Sequence, residues 1–170
     1  MSSNVCAGRV WKFGHNINTD LIMPSYARTA TLEEQVRAVF AANRPGWVDQ
    51  VQRGDFLIAG RNFGIGSSRP GARSLRNAGI ACILAESING LCFRNCVNYG
   101  LLALECPGIW DAFEEGQAAE VQLTDFSVTN RETGARLRAS SIPEALLNIM
   151  QGGGIFPLLE SQGCIEPAGT

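Results

Sequence analysis

Asn62-Phe-Gly-Ile-Gly-Ser-Ser-Arg69 stands between an apolar run, Asp55-Phe-Leu-Ile-Ala59, and a stretch that begins Pro70-Gly-Ala72. The run has the length and composition of a buried strand, and Pro70 suits the first turn of a helix that Gly79 would close. A strand, a glycine-rich turn and a helix in that order aim backbone N–H groups and a helix N-terminus at whatever sits above the sheet edge. That geometry favours an anion, a carboxylate or a phosphate. Ser67 and Ser68 add hydroxyls, and Arg69 adds a planar fork that matches a carboxylate bidentately. A serine placed there can also work as a base if the same positive groups stabilise its alkoxide.

Three other glycine-rich loops fit less well. A nucleotide P-loop requires Gly-Lys-Ser/Thr, and no Lys follows a glycine here. A dinucleotide fingerprint needs a small residue where Arg69 stands. A hydrolase elbow needs glycine at that closing position, and the triad base would have to be His15, the single histidine.

Outward from the loop, the pattern is that of an α/β chain. Gly8 to Phe13 reads as a first strand, followed by a held loop, Gly14-His-Asn-Ile-Asn-Thr-Asp20. A helix over 31–41 opens with a capping box, Thr31 and Glu34. Ile80 to Ala85 reads as a strand buried on both faces, 88–97 as a helix, and Leu101 to Leu104 as another buried strand. Strands joined through helices predict parallel pairs. Alternation over 120–124, 126–129 and 135–139 then predicts a β-meander. Ser140 or Ser141 is placed to cap a short helix over 143–150. One domain over 1–160 with a frayed tail over 161–170 is the expected organisation.

Composition narrows the functional classes. A net charge of −2 gives no sign of electrostatic attraction to nucleic acid or acidic membranes, and neither partner is expected. No apolar stretch is long enough to span a bilayer, and Met1-Ser-Ser-Asn-Val-Cys6 lacks the features of a signal peptide, so a cytoplasmic protein is expected. The six cysteines include no C-x-x-C pair; Cys92 and Cys96 would merely share a helix face. Buried, reduced thiols are expected, and no metal site built by this chain alone.

Four segments, in order, carry a resemblance. Asn62 to Arg69 resembles the N-[FY]-G-x-G-S-S-R signature of the swivelling domain of aconitase-superfamily enzymes. Asn18-Thr-Asp20 with Pro24 resembles its I-x-T-D-x-I-x-P motif. Ala85-Glu-Ser87 ahead of Phe93-Arg-Asn95 resembles its A-x-S-F segment, and Asn98-Tyr-Gly-Leu101 the N-x-G-L continuation. The length matches a stand-alone small subunit of the 3-isopropylmalate dehydratase type. The resemblance implies a three-layer β/β/α swivelling domain that acts with a larger subunit carrying a [4Fe–4S] cluster. The reaction implied is dehydration and rehydration of a 2-hydroxy acid: 3-isopropylmalate, citramalate, dimethylmalate or homoaconitate. It implies Ser67 as the base and Ser68 and Arg69 as binders of the substrate carboxylate. Asp20, Asn62, Gly64, Gly66, Arg94 and Asn95 are implied as supports of the loop. In the loop Ser25-Tyr-Ala-Arg-Thr29, Arg28 either meets a second substrate carboxylate or is a solvated arginine; an isopropyl group would want an apolar contact.

The sequence also departs from the pattern. Where the family continues S-S-R-E-H-A, this chain has Arg69-Pro-Gly-Ala72, and Ile88-Asn-Gly90 replaces an aromatic and an arginine. Those losses point to an altered substrate or a lowered activity. They also raise a second possibility, a non-catalytic carboxylate-binding or regulatory domain of the same fold, which the intact Ser67-Ser68-Arg69 disfavours.

Overall fold

The computed structural model describes residues 4–167. Strand β1 (Val5–Lys12) is followed by short helix α1 (Thr19–Ile22), a 3-10 turn at Ser25–Thr29 and α2 (Leu32–Arg37). Three strands then alternate with two helices: β2 (Phe56–Ala59), α3 (Gly71–Ala78), β3 (Cys82–Ala85), α4 (Gly90–Tyr99) and β4 (Leu102–Glu105). Helix α5 (Ile109–Ala112) leads into β5 (Ala118–Gln122), β6 (Ser127–Asn130) and β7 (Arg136–Arg138), and α6 (Glu144–Gln151) and α7 (Ile155–Ser161) end the described chain.

The strands form one seven-stranded sheet in the order β4-β3-β2-β1-β5-β6-β7. The first four are parallel, with Val10 opposite Phe56, Phe56 opposite Cys82 and Cys82 opposite Leu102. The meander is antiparallel, with Val121 opposite Val128 and Val128 opposite Leu137. Strand β1 serves both halves: Val5 to Arg9 pair with β5, whereas Val10 to Lys12 pair with β2. The sheet therefore curls at β1. Antiparallel strands, parallel strands and helices make the three-layer β/β/α arrangement of a swivelling domain. Every residue of β2 and β3 is buried, which is why these strands are apolar throughout rather than alternating.

Two features fix β1 against its surroundings. Phe13, Phe40 and Trp47 form an aromatic cluster, with centroids 4.2 Å apart for Phe13 and Phe40 and 5.0 Å for Phe40 and Trp47. At the start of β2 the buried Asp55 carboxylate accepts hydrogen bonds from Arg9 Nη2 at 2.8 Å, Trp11 Nε1 at 2.7 Å and the Gln52 amide at 2.9 Å. Burial pushes this carboxyl up, but the three donors outweigh it and hold its pKa below the usual value.

Several local expectations shift. The capping box of Thr31 and Glu34 is present, but α2 ends at Arg37 rather than residue 41. Phe40 takes a left-handed backbone, φ +53°, and this turn buries its ring completely at the cost of the helix. Pro70 occupies the cap of α3, one place before its first turn. Neither Ser140 nor Ser141 caps α6, which starts at Glu144 behind Pro143 without a side-chain cap. Helix α7, which the sequence reading did not anticipate, ends at Ser161, where the expected tail begins; residues 168–170 lie outside the described ones.

Candidate functional site

All four parallel strands end on one side, and the loops leaving β1, β2 and β3 meet there. The segment after β2 is zipped to both neighbours through its backbone. Gly64 N donates to Ile17 O at 2.7 Å and Thr19 N to Ile65 O at 2.8 Å. On the other side Phe63 N donates to Ser87 O at 3.0 Å and Asn89 N to Phe63 O at 2.8 Å. This close approach requires glycine. Gly64 has φ +77° and Gly66 φ +117°; a Cβ on the former would stand 2.3 Å from Cys92 Sγ, and one on the latter 2.7 Å from Thr19 Oγ1.

The loop so held delivers Ser67 and Ser68 to the surface, both exposed, at the entry to α3. Arg69 lies lower and is tightly held, its side chain only 10% exposed. Its Nη2 is 2.5 Å from Asp20 Oδ1, and its Nη1 donates to Met23 O at 2.8 Å. Its Nε is buried and has no partner. Asp20 is placed by α1, whose cap Asn18 accepts from Leu21 N through Oδ1 at 2.9 Å. From the opposite side Asn95 Nδ2 of α4 donates to Arg69 O at 3.1 Å. Ser67, Arg69, Gly64, Asn95 and Leu91 line a common cavity of about 10 Å³, room for a single water. An organic acid therefore meets these groups only at the surface above that cavity.

The remaining candidates separate into supports and outliers. Asn62, with φ +61°, donates from Nδ2 to Asn16 Oδ1 at 2.8 Å and stays exposed, stapling the first two loops together. Arg94 does not join the loop; it is exposed and makes no hydrogen bond or ion pair among the described residues, so the tie from α4 rests on Asn95. Arg28 is likewise exposed and unpaired, at the end of the 3-10 turn beside Tyr26, which is 71% exposed. Sequence reasoning missed Thr19 and Cys92 as the surfaces on which the two glycines rest. It also missed the part played by His15. That ring packs on Trp110 at 4.9 Å and accepts from Arg61 N through Nδ1 at 2.8 Å, closing the far end of the loop. The signal was Gly60, where a Cβ would fall 2.0 Å from the His15 ring.

The cysteines are unsuited to a metal. All six are free, and no group of three or more His, Cys, Asp or Glu able to hold an ion occurs among the described residues. Burial pushes the thiols of Cys6 and Cys106 up to about 11 and about 12, so they stay protonated and poor ligands. Cys92, hydrogen-bonded by the Cys96 thiol, shifts the other way but is buried beneath Gly64. No helix among the described residues is long and apolar enough to cross a membrane.

Known proteins share this sequence pattern and this fold. Residues 14–108 match the aconitase C-terminal domain family. The chain is 41% identical to the small subunit 1 of 3-isopropylmalate dehydratase from Methanopyrus kandleri, over 94% of this chain and 95% of that one. It is 37% identical to the methanogen homoaconitase small subunit of Methanothermobacter thermautotrophicus, over 89% and 88%. Among solved structures, 3-isopropylmalate dehydratase from Methanocaldococcus jannaschii superposes with a TM-score of 0.86 at 27% identity, covering 95% of this chain and 97% of that one. The chain belongs to the aconitase C-terminal domain family, among the small subunits of 3-isopropylmalate-dehydratase-type hydro-lyases.

Proposed function

We propose that this chain is the proton-handling half of a two-subunit dehydratase acting on a 2-hydroxy di- or tricarboxylic acid. The observation that carries this reading is an exposed Ser67 on the rim of the cavity that is also lined by Arg69, whose guanidinium is fixed by Asp20 and Met23. Arg69 commits one N–H of each Nη group to protein partners, leaving the second N–H of each for a carboxylate at the surface. Ser67 then takes a carbon-bound proton from the acid that Arg69 orients, with Ser68 as a further donor. The positive surroundings that bind the carboxylate also lower the cost of the alkoxide. The lone hydroxyl could not expel the substrate's hydroxyl group. A [4Fe–4S] cluster on a larger companion would supply that Lewis-acid chemistry, and among the described residues no group of three or more His, Cys, Asp or Glu offers it a ligand set. The companion also covers the Ser67 surface, since the cavity beneath it is too small for an acid. Six free cysteines accord with a cytoplasmic setting.

The substrate's variable group falls to the turn Ser25–Thr29. An unpaired Arg28 favours a second carboxylate there, as in a homoaconitate-type acid, over the isopropyl group of 3-isopropylmalate. The test is Ser67→Ala in the complex reconstituted with a cluster-bearing large subunit. Removal of a general base lowers kcat by about 10²- to 10⁴-fold, with assembly intact by gel filtration. Wild-type turnover in that variant would sink the reading.

A further inference from the structure

A second cleft opens on the other side of the first turn of α4. Its walls are Ile88, Gly90, Phe93, Glu105, Ser140 and Ile142, and its volume is about 240 Å³. Residues 90 and 93 share one helix face, whereas Leu91, Cys92 and Asn95 face the Ser67 cavity, so a single helical turn divides the two. The cleft is smaller than small-molecule pockets of roughly 300–1,000 Å³, and it suits one long side chain. Ile88, Phe93 and Ile142 make it apolar, but the acid in its wall is unmatched. Glu105 Oε1 accepts from Ile88 N at 2.7 Å, and no arginine, lysine or histidine pairs with Glu105 among the described residues. The N-terminus of α4 beside it offers a partial positive charge and not a cation. An apolar slot that ends on an uncompensated carboxylate is complementary to a cation carried on an aliphatic stem. Gly90 leaves the entrance open, because a Cβ there would meet nothing within 4 Å.

We propose that this cleft receives an arginine or lysine side chain of the companion subunit, seating that subunit next to Ser67. The assignment rests on the two-subunit reading above and names the contact that builds the complex. The test measures binding of the cluster-loaded large subunit from the same organism to this chain by calorimetry, at two salt concentrations. Glu105→Gln keeps the acceptor for the Ile88 amide but removes the charge; Gly90→Arg places a guanidinium in the cleft from within. Each should raise Kd about 10- to 100-fold, the range for losing a charged hydrogen-bonded contact. Turnover at saturating large subunit should stay at the wild-type value. Wild-type Kd in both variants overturns the cleft assignment alone. A wild-type chain that binds no such subunit removes the two-subunit reading and the cleft assignment together. Self-association of this chain that Glu105→Gln abolishes would assign the cleft to a second copy and overturn the proposal.

Discussion

Asp20 Oδ1 lies 2.5 Å from Arg69 Nη2, so the loop that follows β1 holds the guanidinium that follows the β2 loop. Two segments separated by almost fifty residues are thereby made into one surface. Asp20 is 65% exposed, so the pair adds little to stability.

Asp20→Asn separates the two contributions. Losing this contact leaves the guanidinium held by Met23 O alone, and the misplacement should lower kcat/KM by about 10- to 100-fold, mainly through KM. The unfolding free energy should change by less than about 1 kcal/mol. Steady-state kinetics beside urea denaturation distinguish this from a merely structural role, which would move both measurements.

Gly64→Ala should damage the site through the backbone. A left-handed φ of +77° and a contact of 2.3 Å with Cys92 act together. Strain and overpacking of these kinds cost about 2–4 kcal/mol in sum. Thermal unfolding should fall by several degrees, and turnover in the complex should fall with it. An unchanged melting temperature would mean that the loop and α4 are packed more loosely than described.

Stability should depend on acid through Asp55. Its folded pKa is held below the unfolded value of about 3.9, so its contribution is complete above that value and disappears as pH falls through the folded pKa. At pH 7, Asp55→Asn should lose about 2–3 kcal/mol, the worth of a buried charge-assisted cluster. Urea midpoints of variant and wild type should converge as the pH is lowered from 4 towards 2. A constant gap across that range would place the effect in packing rather than charge.

Arg28→Val tests the selector. Relative kcat/KM should move at least about tenfold towards acids with an apolar substituent, the scale of a single side-chain contact. Competition between isopropylmaleate and homoaconitate is the measurement, and an unchanged ratio would remove Arg28 from the substrate's surroundings.

The parallel half of the fold was readable because its strands are short apolar runs set between glycine punctuation, as at Ile80 to Ala85 ahead of Asn89 and Gly100. The loop of Ser67 was readable as a tight turn because Gly64 and Gly66 stand where it packs closest against its neighbours. Other features had no local signature. Helices α1 and α5 have four residues each, too few for a period to show. The end of α2 is dictated by where Phe40 finds its aromatic partners, which lie at Phe13 and Trp47. Arg94 and Asn95 are adjacent letters, yet the helix turns one of them to solvent and the other to the Arg69 carbonyl. Such a difference is set by tertiary placement.

Strand β1 pairs with β5 over its first part and with β2 over its last, which leaves β4 and β7 as the borders of the sheet, with four and three residues respectively. Borders this brief offer little template for another chain to add a strand. An assembly with a larger companion would then rest on side chains of loops and helices, and it could part and rejoin without tearing a ladder of main-chain bonds.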